Sequence, residues 1–228
     1  MKILLLASTT EEISKTIDFL ETNWEKKNFW EFTKGEHSIT TLITGIGTPF
    51  VTFAMARMQN ISEFDYIVNP GISVALSRVV DLGRVYLITE EGFADIGLEE
   101  SDGSFSNMHD LEWMNPNKYP FLKSKLKMKS VHNPTYLPTC TSLTVNTIPG
   151  TYDNIENFEK KYHVDMLTVD GGAVMYTCKM LDLDLIQFCV ASRHVEPWQK
   201  ETGDFVFALD QLNMRTIDIL KALVKEVS

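Results

Sequence analysis

Cysteine is scarce in this chain. The 228 residues hold three, Cys140, Cys178 and Cys189. No two stand in a CxxC spacing, and an odd number closes no disulfide set, so no disulfide framework is expected. Cys178 and Cys189 lie in apolar runs and read as small buried hydrophobes. Long hydrophobic runs are missing as well, and no stretch approaches the length of a membrane span. The opening run Ile3–Ala7 is short and is soon followed by Glu11 and Glu12, unlike a secretory leader. These absences predict a cytoplasmic protein. Basic runs are also lacking, and the formal net charge is −10. A general nucleic-acid binder needs a basic face to neutralise phosphates, so neither nucleic acid nor membrane is expected as a partner. The nearest approach to a basic run is Lys123, Lys125, Lys127 and Lys129, alternating with Leu122, Leu126 and Met128. That pattern reads as the wet face of a strand, or an edge strand protected by lysines.

What is present is ordinary for a globular protein. The chain is 44% hydrophobic and 23% charged, enough to bury a core without staples. Short apolar runs predict strands at Ile3–Ala7, Ile39–Thr44, Tyr66–Asn69 (ended by Pro70-Gly71), Arg84–Thr89, Leu143–Val145, Met166–Val169 and Leu185–Ala191. Helices are predicted after Thr10, from Thr48-Pro49 to about Met58, over Asn154–Tyr162, from Ala173 to Leu181, and from Asp204 onward. The last is amphipathic, with Phe205, Leu209, Leu212, Leu220, Leu223 and Val227 at helical spacing. The polar segment Glu90–Asn117 reads as a surface loop, and Ser192–Gly203 as another. Alternating strands and helices predict an α/β fold: a mixed, mainly parallel sheet flanked by helices. No repeat, linker or low-complexity segment divides the chain, so one domain over residues 1–228 is expected.

In such sheets ligands bind at the carboxyl ends of strands. That rule selects Ser8–Glu12, Thr44–Gly47, Asn69–Ser73, Val169–Gly172 and Ser192–Glu196. The same segments carry a resemblance. The opening through Glu11-Glu12-Ile13 is similar to the start of bacterial nucleosidases that cleave methylthioadenosine and adenosylhomocysteine. Thr44-Gly45-Ile46-Gly47 resembles that family's (S/T)G(I/V)G turn, Asn69-Pro70-Gly71-Ile72-Ser73 its N-x-G-x-(A/S) element, and Leu82-Gly83-Arg84-Val85 its GD-V strand. Val169-Asp170-Gly171-Gly172-Ala173 falls where the family has M-E-(G/A)-x-A. Phe93–Gly97, Leu143–Asn146, Ala191–Pro197 and Leu209–Asn213 resemble segments of futalosine hydrolases, a branch of the same nucleoside phosphorylase and nucleosidase superfamily. The likeness runs in order along nearly the whole chain.

The resemblance implies hydrolysis of the N-glycosidic bond of a purine-type nucleoside, with no metal or organic cofactor, in a homodimer or larger homo-oligomer. It implies that Glu12 activates or positions water and that Asp170 holds ribose hydroxyls, an acidic role the family gives to Glu. Its base-facing segment falls on Ser192, Arg193, His194 and Glu196. Each residue also has a plain reading. Glu12 suits a helix's first turn, Asp170 a helix N-cap, and Arg193 a salt bridge to Glu196 or another loop acid. His194 supplies a titratable proton if it points inward. Gly45 and Gly47 cradle an anion or simply make a tight turn. Phe93, Val145 and Trp198 seat a base or pack in the core. The chain departs from the family in three places: Arg193 stands where the nucleosidases have Asp and futalosine hydrolases Asn, Asp170 is one methylene short, and Arg84 replaces the acid of the GD strand. These departures keep open a catalytically weakened nucleoside-binding relative. Phosphorolysis is the third reading, disfavoured because Ser8–Glu12 brings no arginine, although Arg57, Arg78 and Arg84 remain candidates to meet phosphate.

Overall fold

The computed structural model describes residues 1–197 and 204–225. In chain order these form β1 (Lys2–Ala7), α1 (Ser14–Asn23), β2 (Glu25–Lys26), β3 (Glu31–Lys34), β4 (His37–Ile43), α2 (Thr48–Ala56), β5 (Tyr66–Ala75), β6 (Val85–Glu90), β7 (Gly97–Glu99), β8 (Phe105–Asn107), β9 (Thr139–Thr144), α3 (Tyr152–Lys161), β10 (Met166–Thr168), α4 (Gly171–Leu181), β11 (Leu185–His194) and α5 (Phe205–Lys225). Trp198 and Val227 lie outside the described residues.

The fold is mixed α/β. A nine-stranded sheet runs in the order β10-β9-β6-β11-β5-β1-β4-β3-β2. β1 is buried at every position after Lys2 because it lies between two parallel neighbours, β4 and β5. Two-sided burial is why its sequence is a continuous apolar run and not an alternating one. The sheet is less parallel than expected. β5–β11, β6–β9 and β9–β10 are parallel, but β6–β11, β2–β3 and β3–β4 are antiparallel. In addition β10 pairs antiparallel with the far end of β5, Met166 opposite Ala75, so β5, β11, β6, β9 and β10 close into a barrel.

That closure depends on β5 running on through Pro70-Gly71, where the sequence predicted its end. Pairing with β1 stops at Val68, so the missing N–H of Pro70 falls where only the β11 side carries a ladder. β11 likewise continues to His194, past a register shift between Ala191 and Arg193. A bulge of this kind re-aims the side chains next to it. Ser192, Arg193 and His194 are therefore strand residues and not part of a loop.

Other expectations are corrected in detail. Residues 90–117 hold the β7–β8 hairpin and a wholly buried acid, Glu91. The lysine segment forms no extended strand. Leu126 is buried and bridges Glu91, while Lys125 and Lys127 pair with Glu90 and Lys129 with Asp182. On α5 the inward face is Ala208, Leu212, Asn213, Thr216, Ile219, Leu220 and Leu223, and Phe205 is 53% exposed. α1 and α5 cover one face of the sheet through Leu20, Leu212 and Leu220, with Ile13 from the turn before α1 in the same cluster. α2 and α4 pack together in the cluster on the other face, which includes Val51, Met55, Val174 and Cys178.

Candidate active site

β1 ends at Ala7, and the chain turns through Ser8–Thr10 into a 3-10 turn at Glu11–Ile13 before α1 begins. No side chain caps this turn. The Glu12 carboxylate instead folds back to accept the backbone N–H of Ser8 at 2.7 Å and of Thr9 at 3.2 Å. From the other side Asn213 of α5 fixes its backbone, donating from Nδ2 to the Glu12 carbonyl at 3.0 Å. Asn213 is 2% exposed and also accepts from the N–H and hydroxyl of Thr16. One α5 amide thus ties down both α1 and the segment carrying Glu12.

Ser8 joins this acid to the second one. Its hydroxyl donates to Asp170 Oδ2 in a short hydrogen bond. Asp170 stands at the N-cap position of α4, yet its side chain makes no capping hydrogen bond. A backbone N–H of Gly47 supports the carboxylate from the β4–α2 turn. That turn is held against β1 by the Gly45 N–H on the Ser8 carbonyl at 3.0 Å, and against β10 by the Thr48 hydroxyl on the Val169 carbonyl at 3.4 Å. Gly45 and Gly47 have φ of +87° and +108°, a region L side chains rarely adopt. Here glycine is required by the backbone.

The electrostatics follow from this crowding. Burial lifts the Glu12 carboxyl to about 7, the nearby Asp170 charge adds to the lift, and backbone N–H groups of Thr9, Ser8 and Ile72 partly oppose it. Asp170 is also raised by burial, against the Ser8 hydroxyl and the Gly47 N–H. Glu12 is therefore poised to exchange a proton near neutral pH, as a general base needs.

Sequence reasoning brought Glu12, Gly45, Gly47, Val169 and Asp170 to this place, and the structure gathers them there. Ser192 lies beside the Ile72–Ser73 stretch that borders Glu12, its hydroxyl donating to the Ser73 carbonyl at 3.3 Å. Arg193 and His194 follow on β11, half-buried. His194 Nδ1 is buried with no hydrogen-bond partner among the described residues. Burial, then the Arg78 cation, holds its pKa below the ordinary value. Glu196 is exposed and pairs with Arg78 at 2.9 Å, not with Arg193. Val145 is wholly buried in an apolar cluster with Leu76, Ala94 and Val195. Phe93 packs edge-on to Phe121 and Tyr176, at centroid distances of 6.5 and 6.4 Å. Of the three arginines considered for phosphate, Arg78 is paired to Glu196, Arg84 to Asp81 at 3.1 Å, and Arg57 lies over the Phe53 ring. Among the described residues no group of three or more His, Cys, Asp or Glu side chains is placed to hold a metal ion.

Two features escaped the sequence reading. Ser8 falls in the predicted ligand segment Ser8–Glu12, but nothing in the sequence marks its hydroxyl as the bridge between the acids. Glu91 was assigned to a surface loop, whereas it is 0% exposed inside the barrel and accepts from Ser142 Oγ at 2.6 Å, Thr168 Oγ1 at 3.1 Å, Gln187 Nε2 at 3.2 Å and Thr144 Oγ1 at 3.3 Å. Its signal was positional: like the chosen segments, it follows directly on an apolar strand.

No protein-family model and no curated protein sequence matches the chain. Solved structures do. The 5′-methylthioadenosine/S-adenosyl homocysteine nucleosidase of Campylobacter jejuni superposes with a TM-score of 0.75 at 15% identity, covering 99% of each chain. Futalosine hydrolase of Helicobacter pylori gives 0.74 at 12% identity, covering 99% of this chain and 98% of that one. The MTA/SAH nucleosidase of Streptococcus pneumoniae, solved in complex with 8-aminoadenine, gives 0.73 at 16%, covering 99% of each. The chain has the fold of these nucleosidases and of futalosine hydrolase, end to end.

Proposed function

We propose that this protein hydrolyses the N-glycosidic bond of a purine-type nucleoside. The observation that carries the reading is the Glu12–Ser8–Asp170 constellation: two raised carboxyls bridged by one serine, at strand carboxyl ends, in the fold of proteins whose names state this chemistry. Glycosidic cleavage builds positive charge on the ribose ring and places an electron pair on the departing base. Glu12, deprotonated, takes a proton from the attacking water and stabilises the cationic ring. Asp170 accepts the ribose hydroxyls, as a carboxylate can do twice over. Water is favoured over phosphate because Ser8–Glu12 brings no arginine, Arg78 and Arg84 are paired to carboxylates, and Arg57 lies over a ring.

The leaving group is where this site differs. Arg193 does not release a proton in a protein, so it assists the base by donating hydrogen bonds. His194 is a poor general acid beside Glu12. Burial, with the Arg78 cation beside it, disfavours the charged imidazole that would give a proton to the base. Phe93 reaches the start of α4 and is the aromatic we place nearest the base. The second reading, a nucleoside binder with weakened turnover, rests on this same lack of a leaving-group acid.

We further propose a homodimer in the cytoplasm. Phe50 and Phe53 on α2 stand 59% and 65% exposed, and Ile46, in the Gly45–Gly47 turn before it, 60%. Exposed apolar surface of this kind marks an interface. The three cysteines are free and buried, as suits a reducing compartment. No helix among the described residues is long and apolar enough to cross a membrane.

The direct test is base release by chromatography from futalosine, methylthioadenosine, adenosylhomocysteine, inosine and adenosine, each with and without phosphate. Release without phosphate is expected. A ribose phosphate formed only when phosphate is present overturns hydrolysis. Binding without release turns the reading to the weakened relative.

A further inference from the structure

An aspartate at the head of a helix ordinarily spends its carboxylate on the first free N–H groups. Asp170 stands at that position and does not. The N–H it would cap is met from elsewhere: Gly172 N donates to Thr144 Oγ1 at 2.6 Å. Thr144 ends β9, the strand next to β10, in register with Thr168 just before the β10–α4 turn, and is 1% exposed. Its hydroxyl is oriented by Thr168 Oγ1 at 2.8 Å and Glu91 Oε2 at 3.3 Å. With Thr168 donating to Glu91 Oε1, the Thr144 hydrogen points into this acid-centred group and its lone pairs face Gly172. The packing admits nothing else at the turn. A Cβ on Gly171 would lie 2.4 Å from Glu91 Oε1, and one on Gly172 2.9 Å from Thr144 Oγ1. The glycine pair is there so that the helix start can rest on Thr144 and Glu91.

We infer that Thr144, held by Glu91, is a surrogate cap for α4 and thereby a positioning residue: it relieves Asp170 of capping and leaves that carboxylate turned toward Ser8 and the ribose site. The inference rests on the proposed ribose role of Asp170 for its functional consequence, but not for its structural one. Without the Thr144 hydroxyl, Gly172 N–H loses its partner, and the Asp170 carboxylate, at the N-cap position, is the group an N-cap residue ordinarily turns onto it.

Two measurements on Thr144→Val and Thr144→Ser test this. Calorimetry with methylthioadenosine and with adenine alone reads the ribose grip. The valine variant is expected to bind the nucleoside about tenfold more weakly, the loss of one good hydrogen bond to a charged group. Its affinity for adenine should hold, and serine should restore the nucleoside. Equal loss of both ligands, or no loss of either, overturns the inference. A crystal structure of the valine variant reads the carboxylate directly: Asp170 is expected to leave Ser8 and accept from Gly172, and an unmoved Asp170 overturns the surrogate cap. The two readings separate. A wild-type protein that binds no nucleoside, with Asp170 displaced in the variant, sinks the proposed function and keeps the cap. If the valine variant does not fold, Thr144→Cys, a weaker acceptor of similar shape, replaces it in both experiments.

Discussion

Two carboxyls brought close in a partly dry site resist ionising together. Glu12 and Asp170 are in that position, so activity should rise with pH through about 7 as Glu12 loses its proton. A pH–rate profile that is flat from 6 to 8 would remove Glu12 as the base. Replacing Glu12 by Gln should lower turnover by roughly 10²–10⁴ while leaving nucleoside affinity within a few fold, because the amide keeps the shape but cannot take a proton. Steady-state kinetics beside calorimetry separates the two effects. At the other end of the substrate, Arg193→Asp restores an acid where the chain offers only donors. If the leaving group limits the rate, this variant should turn over faster than wild type. Of these residues the strand-end positions of Glu12 and Asp170 were legible in the sequence, although each also suits a helix terminus. Ser8 was not. A serine at a strand end has many uses, and only the fold sets its hydroxyl against a residue far along the chain.

At the scale of elements, the barrel and the α1–α5 face do different work. Asn213 satisfies four partners at once: the N–H and hydroxyl of Thr16 and the carbonyls of Glu12 and Leu209. Asn213→Ala leaves buried groups unpaired and should destabilise by roughly 2–4 kcal/mol. Denaturant unfolding measures it. The same variant should slow turnover in whatever protein remains folded, because the Glu12 backbone loses its tie. A loss of stability with turnover per folded molecule unchanged would show that the tie does not position Glu12. The helices were readable because their apolar spacing records one buried face. The turn from β5 into the barrel was not. Pro70-Gly71 ends most strands, and its tolerance here follows from β1 pairing having already stopped at Val68.

For the whole molecule, buried acids raised by folding set the response to pH, Asp170 in direction and Glu12 and Glu91 most plainly. Glu12 and Glu91 are each held near 7, against an ordinary value of 4.5, chiefly by burial. A carboxyl raised by folding contributes stability that is fully present below its unfolded pKa and is lost as pH rises through its folded one. The window is therefore about 4.5 to 7, and each acid withdraws about 3 kcal/mol across it. Thermal unfolding should show a Tm several degrees higher at pH 5 than at pH 8, and Glu91→Gln should flatten that slope. A Tm that climbs from pH 5 to 8 would contradict the burial argument. The exposed apolar residues of α2 act at the same scale. Phe53→Glu should convert a dimer to a monomer in sedimentation velocity without loss of fold, and a wild-type monomer would retire the proposed interface.

The sequence by itself determined the main apolar strands and the amphipathic helices, and which strand ends carry acids and glycines. These are local properties: apolar period, turn chemistry and charge are written within a few residues. Tertiary structure alone decided that part of the sheet closes, that Glu91 is a core residue and not a surface acid, that Glu196 takes Arg78, and that Thr144 stands in for Asp170 at the head of α4. Each of these depends on partners distant in sequence. A carboxylate's surroundings, and hence its charge, are fixed by which strands the fold sets around it.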